Sequence, residues 1–166
     1  SFEAYLKIDG IDGESTDSKH EAWIELLGYD HSAAQPSSGS ESSGGFMTTG
    51  KVELSKFKIV KTIDLATPVL YKYCTTSQYI PSIQMEVCRA AGEKEVYYVV
   101  IMTNCVISAV ENGGTAKGAK SSPLPIETVE IGYSEIKWTY TQTDHATGAQ
   151  GGVTEASWNV TTNVSA

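Results

Sequence analysis

The stretch IQMEVCRAAGEKEVYYVVIMTNCVISAV, Ile83 to Val110, decides the fold. Ile83, Met85 and Val87 alternate with Gln84, Glu86 and Cys88, the period-2 pattern of a half-buried strand. Ala91-Gly92-Glu93-Lys94 has the composition of a hairpin turn. From Glu95 to Val110 the chain then continues as an almost unbroken apolar strand through Tyr97, Tyr98, Val99, Val100, Ile101 and Met102. Outward from this hairpin the same period recurs. Phe2, Ala4, Leu6 and Ile8 alternate with Glu3, Tyr5 and Lys7, and His20 to His31 places Ala22, Ile24 and Leu26 opposite Glu21, Trp23 and Glu25. Glu127 to Gln142 and Glu155 to Val164 supply the last two strands, the latter with Trp158, Val160, Thr162 and Val164 on one face.

Two strands change parity. In Lys51 to Ile63 the apolar positions move from Val52 and Leu54 to Phe57 and Ile59, and in the strand from Glu127 they move from Val129, Ile131 and Tyr133 to Ile136, Trp138 and Tyr140. A bulge in each, the first near Ser55-Lys56, accounts for the switch and helps a sheet curl. One helix is predicted over 67–77, with Thr67 as N-cap, Pro68 at the first helical position, and Val69, Leu70, Tyr73 and Cys74 on one face. At this length it draws its stability from packing on strands. Strands joined by tight turns, without alternating helices, indicate an antiparallel barrel or sandwich in one domain spanning 1–166.

Between Ser32 and Gly50 lie 19 residues with six serines and four glycines, and only Phe46 and Met47 are large and apolar. Such a segment cannot offset its ordering entropy by burial and reads as a long extended loop. The composition excludes several classes of function. Twenty acids against 12 bases leave a formal charge of −8 on 166 residues, and Arg89 is the single arginine. That balance argues against a nucleic-acid partner, which needs a basic stripe to neutralise phosphates. No run approaches the roughly 18 apolar residues of a membrane span, and Ser1 to Gly10 shows no export signal, so no membrane insertion is expected.

Cys74, Cys88 and Cys105 are odd in number and form no CxxC or zinc spacing; they read as small buried hydrophobes. Asp9 to Glu14 fails as an EF-hand, because Ile8 and Lys19 fall where carboxylates are required. Gly113 to Lys120 fails as a phosphate loop, with Pro123 and Pro125 where a helix should begin. Neither GxSxG nor HExxH occurs, and His20, His31 and His145 read as residues of strand ends and turns. Asn159 and Asn163 stand in glycosylation sequons but read as ordinary strand residues. No catalytic residue, metal ligand or cofactor is assigned.

In order, Lys7-Ile8, Gly10, Gly13-Glu14-Ser15, Asp17 and His20 lead to Gly50-Lys51-Val52, Asp64, and Thr67-Pro68 with Leu70 and Cys74. Pro81, Arg89-Ala90, Gly92, Tyr97, Glu127, Tyr133, Tyr140, Gly151-Gly152 and Trp158-Asn159 follow. This succession resembles the haemolysin-coregulated protein family, the tube subunit of bacterial type VI secretion systems, from about residue 2 to the end. The resemblance implies a closed antiparallel β-barrel with one flanking helix. Six copies form a ring with a wide lumen, and rings stack into a tube that is fired from the cell carrying toxins. It implies ring-stacking contacts in the loop, at Ser42, Ser43, Phe46 and Met47, and lumen or cargo contacts at Asp30 and Ser32. The implied partners are further copies of the chain, spike and sheath proteins, and toxin effectors. The chain would be made in the cytoplasm without a cleaved signal and then secreted. Ending just past Asn163, it leaves no room for an appended toxin domain, so no intrinsic catalytic activity is expected. The loop departs from the family pattern, being richer in serine and carrying Pro36 where a more glycine-rich run is expected.

Two other classes compete. A monomeric barrel could hold a small ligand or carbohydrate through Trp138, Tyr140 or Trp158, although these alternate as core residues do. A hydrolase could use His20 or His145. Ring formation separates the first class from both.

Overall fold

A computed structural model describes residues 1–36, 51–116, 124–144, 146–147 and 149–166. The elements, in chain order, are β1 (Phe2–Ile8), β2 (Ile24–Leu26), β3 (Gly28–Asp30), β4 (Ala33–Ala34), β5 (Glu53–Leu54), β6 (Phe57–Thr62), α1 (Thr67–Thr75), β7 (Ile80–Arg89), β8 (Val96–Gly113), β9 (Ile126–Thr143) and β10 (Gln150–Asn159). Among the described residues no helix is long and apolar enough to cross a membrane.

The main sheet runs β2-β1-β7-β8-β9-β6-β3, with β10 also paired to β9, and all its pairings are antiparallel. Its two end strands, β2 and β3, are separated in the chain by Leu27 alone. The Leu27 N–H donates to the carbonyl of Val60 at 2.7 Å. One segment therefore pairs with β1 and then with β6, and the sheet closes almost completely on itself. Closure removes the unpaired edges that an open sheet would leave at β1 and β6. Inside pack Leu6, Ile24, Ile59, Ile83, Met85, Val100, Met102, Val129, Ile131 and Ile136, all fully buried.

The hairpin that decides the fold forms as the sequence predicts. Gly92 and Lys94 adopt positive φ in its turn, and Val87 faces Tyr98. The parity switch of β9 has a different origin from a bulge in that strand. Buried positions change from Ile80 to Ile83 in β7, from Met102 to Cys105 in β8, and from Ile131 to Ile136 in β9. Ser82, Thr103 and Glu135 face one another across the ladder, so all three strands switch at one level. Register is unchanged there, as Met102 faces Ile136 and Cys105 faces Tyr133. Asn104, at φ 54°, turns the corner from the left-handed region that asparagine tolerates. The register shift between β8 and β9 lies elsewhere, between Ile107 and Ala109.

Four other expectations are corrected. His20 to Trp23 is a turn, with Ala22 at φ 64°, and strand pairing begins only at Ile24. The break at Ser55-Lys56 separates two sheets, because β5 pairs with β4 in a small ribbon while β6 joins the barrel. That ribbon also gives secondary structure to the first part of the predicted loop. Beyond Asn159 the chain turns back: Asn163 adopts φ 58°, Val164 bridges to Asn159, and Ser157 bonds Ala166, so Trp158 to Val164 is not one strand face.

The helix begins one residue earlier than the cap assignment requires and ends at Thr75, not Ser77. Ala66 holds the cap position and Pro68 the second helical one. Thr67 Oγ1 instead accepts from the Asp64 N–H at 3.0 Å and donates to Glu127 at 3.0 Å. Leu70 is fully buried, with Val69, Tyr73 and Cys74 partly buried beside it.

Candidate assembly surface

Strands β3 and β6 leave the barrel as neighbours, Asp30 facing Lys58, and the chain then departs into the β4–β5 ribbon, here called the arm. Its two legs are tied to each other at the root. The Ser55 N–H donates to the Ser32 carbonyl at 2.9 Å, and the Ser32 N–H donates to Ser55 Oγ at 2.9 Å. They are tied to the barrel from beneath. Tyr133 on β9 donates its hydroxyl hydrogen to the Ser55 carbonyl at 2.8 Å, and His31 Nε2 lies 2.6 Å from the same phenolic oxygen. Because that hydrogen is committed to Ser55, Nε2–H is the donor to Tyr133. The His31 ring packs 5.1 Å from Phe57 and 6.2 Å from Trp138. Burial pushes the Tyr133 phenol up to about 12.

Burial also lowers the His31 pKa, against opposing effects of the Ser55 backbone and the Asp30 charge. With a folded value below the ordinary 6.5, the unfolded chain takes up the proton first, and stability falls as pH drops through 6.5 toward the folded value. Replacing His31 by Gln should flatten the dependence of the urea midpoint on pH across that window. An unchanged slope in the variant would remove His31 as its source.

Two ionic clusters fasten other parts of the barrel. His20, fully buried, lies 2.7 Å by Nδ1 from Asp17 and 2.8 Å by Nε2 from Glu86, and its ring stacks on Tyr5 at 4.2 Å. The hydrogen bond with His20 is the chief cause holding the Asp17 carboxyl below its usual range. Tyr5 in turn donates to Glu3, which pairs with Lys94 at 3.1 Å. The cluster joins β1, β7, the turn before β2 and the β7–β8 turn. The second consists of Lys61 Nζ with Glu127 at 2.5 Å and Asp64 at 2.8 Å, Lys61 and Glu127 both fully buried. Both clusters are saturated by partners that hold strands and helix together, which is structural chemistry.

Of the residues singled out from sequence, Asp30 and Ser32 are both exposed, on either side of the inward-turned His31. Ser42, Ser43, Phe46, Met47 and His145 lie outside the described residues. His20 and His31 have different partners and do not share a site. Trp138 and Trp158 pack partly buried against the core, whereas Tyr140 is 43% exposed. Beside them runs a groove of about 200 Å³ lined by Tyr98, Trp138, Tyr140, Thr154, Glu155 and Ala156. That is below the roughly 300–1,000 Å³ of small-molecule sites. A larger depression, about 550 Å³, spans the Lys137–Glu155 ion pair and the chain end on the outer strands. Among the described residues no group of three His, Cys, Asp or Glu side chains is placed to hold a metal ion, and all three cysteines are free. Sequence reading passed over Tyr133 and Ser55 as a pair with His31. The one available signal was Tyr133 at the parity switch.

A nearly closed antiparallel barrel, saturated ionic clusters and a largely exposed ribbon clamped at its root define a β-barrel protein with a projecting arm. The family described as "Type VI secretion system effector, Hcp" matches residues 5–140. The chain belongs to this Hcp family of type VI secretion. It is 30% identical over 168 residues to protein hcp1 of Pseudomonas aeruginosa, covering 100% of this chain and 99% of that one. A solved structure of a type six secretion system protein superposes with a TM-score of 0.90 at 32% identity over 100% of both chains. Hcp1 from Salmonella typhimurium superposes at 0.78 with 28% identity, over 100% of this chain and 99% of that one.

Proposed function

We propose that this chain is the tube-building subunit of a type VI secretion system. Each barrel domain is one sixth of a ring, rings stack through the arm and the loop it carries, and toxin effectors occupy the lumen. Asp30 and Ser32 are the cargo contacts, Ser42, Ser43, Phe46 and Met47 the stacking contacts, and spike and sheath proteins the further partners. The protein is secreted through the apparatus it helps to form, and its work is mechanical. The observation that carries this reading is the match of the whole chain, at a TM-score of 0.90, to a type six secretion system protein.

A heterologous side contact closed by rotation makes a ring, and a second contact repeated face to face makes a filament. Six copies at −8 carry a formal −48, so stacking brings like charges together and added salt should favour it by screening. Light scattering of the purified protein, at low and high salt with negative-stain images, should give six times 17.8 kDa and annular particles. Longer stacks should appear at high salt. A 17.8 kDa monomer at every concentration would overturn the reading and favour a ligand-binding barrel.

A further inference from the structure

The arm leaves the barrel where neither ladder holds it. Strand β3 ends at Asp30 and β6 begins at Phe57, while β4 and β5 pair only from Ala33 and Leu54 onward. His31, Ser32, Ser55 and Lys56 therefore lie between two sheets. The reciprocal Ser32–Ser55 bonds hold the legs together but do not aim them. Among the described residues, the hydrogen bonds that link this junction to β9 are those converging on the Tyr133 hydroxyl. Strand β9 is the best-braced strand of the barrel, pairing with β8 along its length, with β6 near its start and with β10 near its end.

We propose that Tyr133 and His31 are positioning residues for ring stacking: their phenol–imidazole bridge to the Ser55 carbonyl sets the direction in which the arm leaves the barrel. The inference rests on the proposed tube assembly. The bridge touches no neighbouring ring itself and acts by fixing the arm. The two buried ionic clusters are already engaged elsewhere, His20 with Asp17 and Glu86 and Lys61 with Glu127 and Asp64. Six arms would act at each ring junction, so a small loosening per arm is compounded over the ring.

Tyr133→Phe keeps the ring and removes the shared hydroxyl. Hydrogen exchange at the amides of Ser32 and Ser55 should then quicken by about five- to tenfold, the scale of one lost hydrogen bond. Exchange in β7 and β8 should stay as it was. Rings should keep their six-fold mass, while the protein concentration needed for stacks rises at least about tenfold. His31→Gln retains an N–H donor of similar reach and His31→Leu does not, so Gln should preserve stacking and Leu should lose it. Stacking of Tyr133→Phe rings at the wild-type concentration overturns the inference and leaves the tube reading intact. If Tyr133→Phe yields no rings, the His31 pair decides, and equal stacking by Gln and Leu overturns it. If the wild-type chain forms no rings, the tube reading fails, and unchanged exchange in Tyr133→Phe then overturns the clamp as well.

Discussion

Glu127→Leu should cost the barrel about 3–5 kcal/mol of stability, the usual loss when one member of a buried ion pair is removed. Lys61 and Glu127 are both fully buried, and their closest atoms are 2.5 Å apart. Glu127 also receives the Thr67 hydroxyl and the Asn112 amide, and so gathers β6, β8, β9 and the start of α1 around one carboxylate. With leucine in its place the ammonium keeps Asp64 and the Thr62 carbonyl, but its most deeply buried counter-charge is gone. The loss arises because the fully buried ammonium is left with only the more exposed Asp64 as counter-charge, not from the net worth of the pair. The double variant Lys61→Met/Glu127→Leu should therefore regain most of it. Urea unfolding followed by tryptophan fluorescence reads both. A single variant within about 1 kcal/mol of wild type, or a double variant no better than the single, would show that the pair does not carry the charge balance assigned to it.

Gly13→Ala should be comparably severe, at about 3 kcal/mol, for a steric reason. A Cβ on Gly13 would sit 2.5 Å from both Ile24 Cα and the Trp23 carbonyl oxygen, and 2.7 Å from Ile24 N. These are backbone atoms, which no rotamer change can move aside. The Gly13 N–H bonds to Ala22 and the Ser15 N–H to Trp23, so the turn lies flat against the segment that starts β2. Forcing them apart unseats Ile24, which is fully buried, and disturbs the turn that carries His20. Gly28→Ala is the control, since nothing lies within 4 Å of its Cβ position, and it should shift stability by no more than about 0.5 kcal/mol. Equal thermal midpoints for the two variants would refute the close-approach argument. Because β2 closes the barrel, loss of its seat should also abolish ring assembly in Gly13→Ala at temperatures where Gly28→Ala still assembles.

Much of the architecture was legible in residues near one another in the chain. Alternation in Phe2 to Ile8, in Ile83 to Cys88 and in the long strands either side of 113–126 is a local property, imposed by the pleat on any half-buried strand. The Gly-Glu-Ser turn, Thr67-Pro68 and Trp158-Asn159, taken in order, pointed to the family that the comparisons then established. Misreadings arose where local pattern and tertiary pairing part company. Ala22 fits a strand alternation but takes a left-handed conformation, because the turn must bring His20 beneath Tyr5. The switch at Leu54 to Phe57 looked like a bulge, yet the two halves belong to different sheets. The switch in β9 looked local but is one third of a corner shared with β7 and β8.

The candidate assembly surface was legible only in outline. Its polar anchors join residues far apart in sequence, His31 with Tyr133 across 102 positions and Lys61 with Glu127 across 66. By itself the sequence determined the strand-rich character, the helix after Ala66, the acidic charge balance and the family. Each follows from composition, from the period of neighbouring side chains or from the order of short motifs. Only the tertiary structure decided which strands are neighbours, that Leu27 closes the barrel against Val60, and which carboxylate neutralises a buried lysine. The physical reason is that a side chain's periodicity is set within a few residues, whereas its partner is chosen by chain closure and burial across the whole barrel.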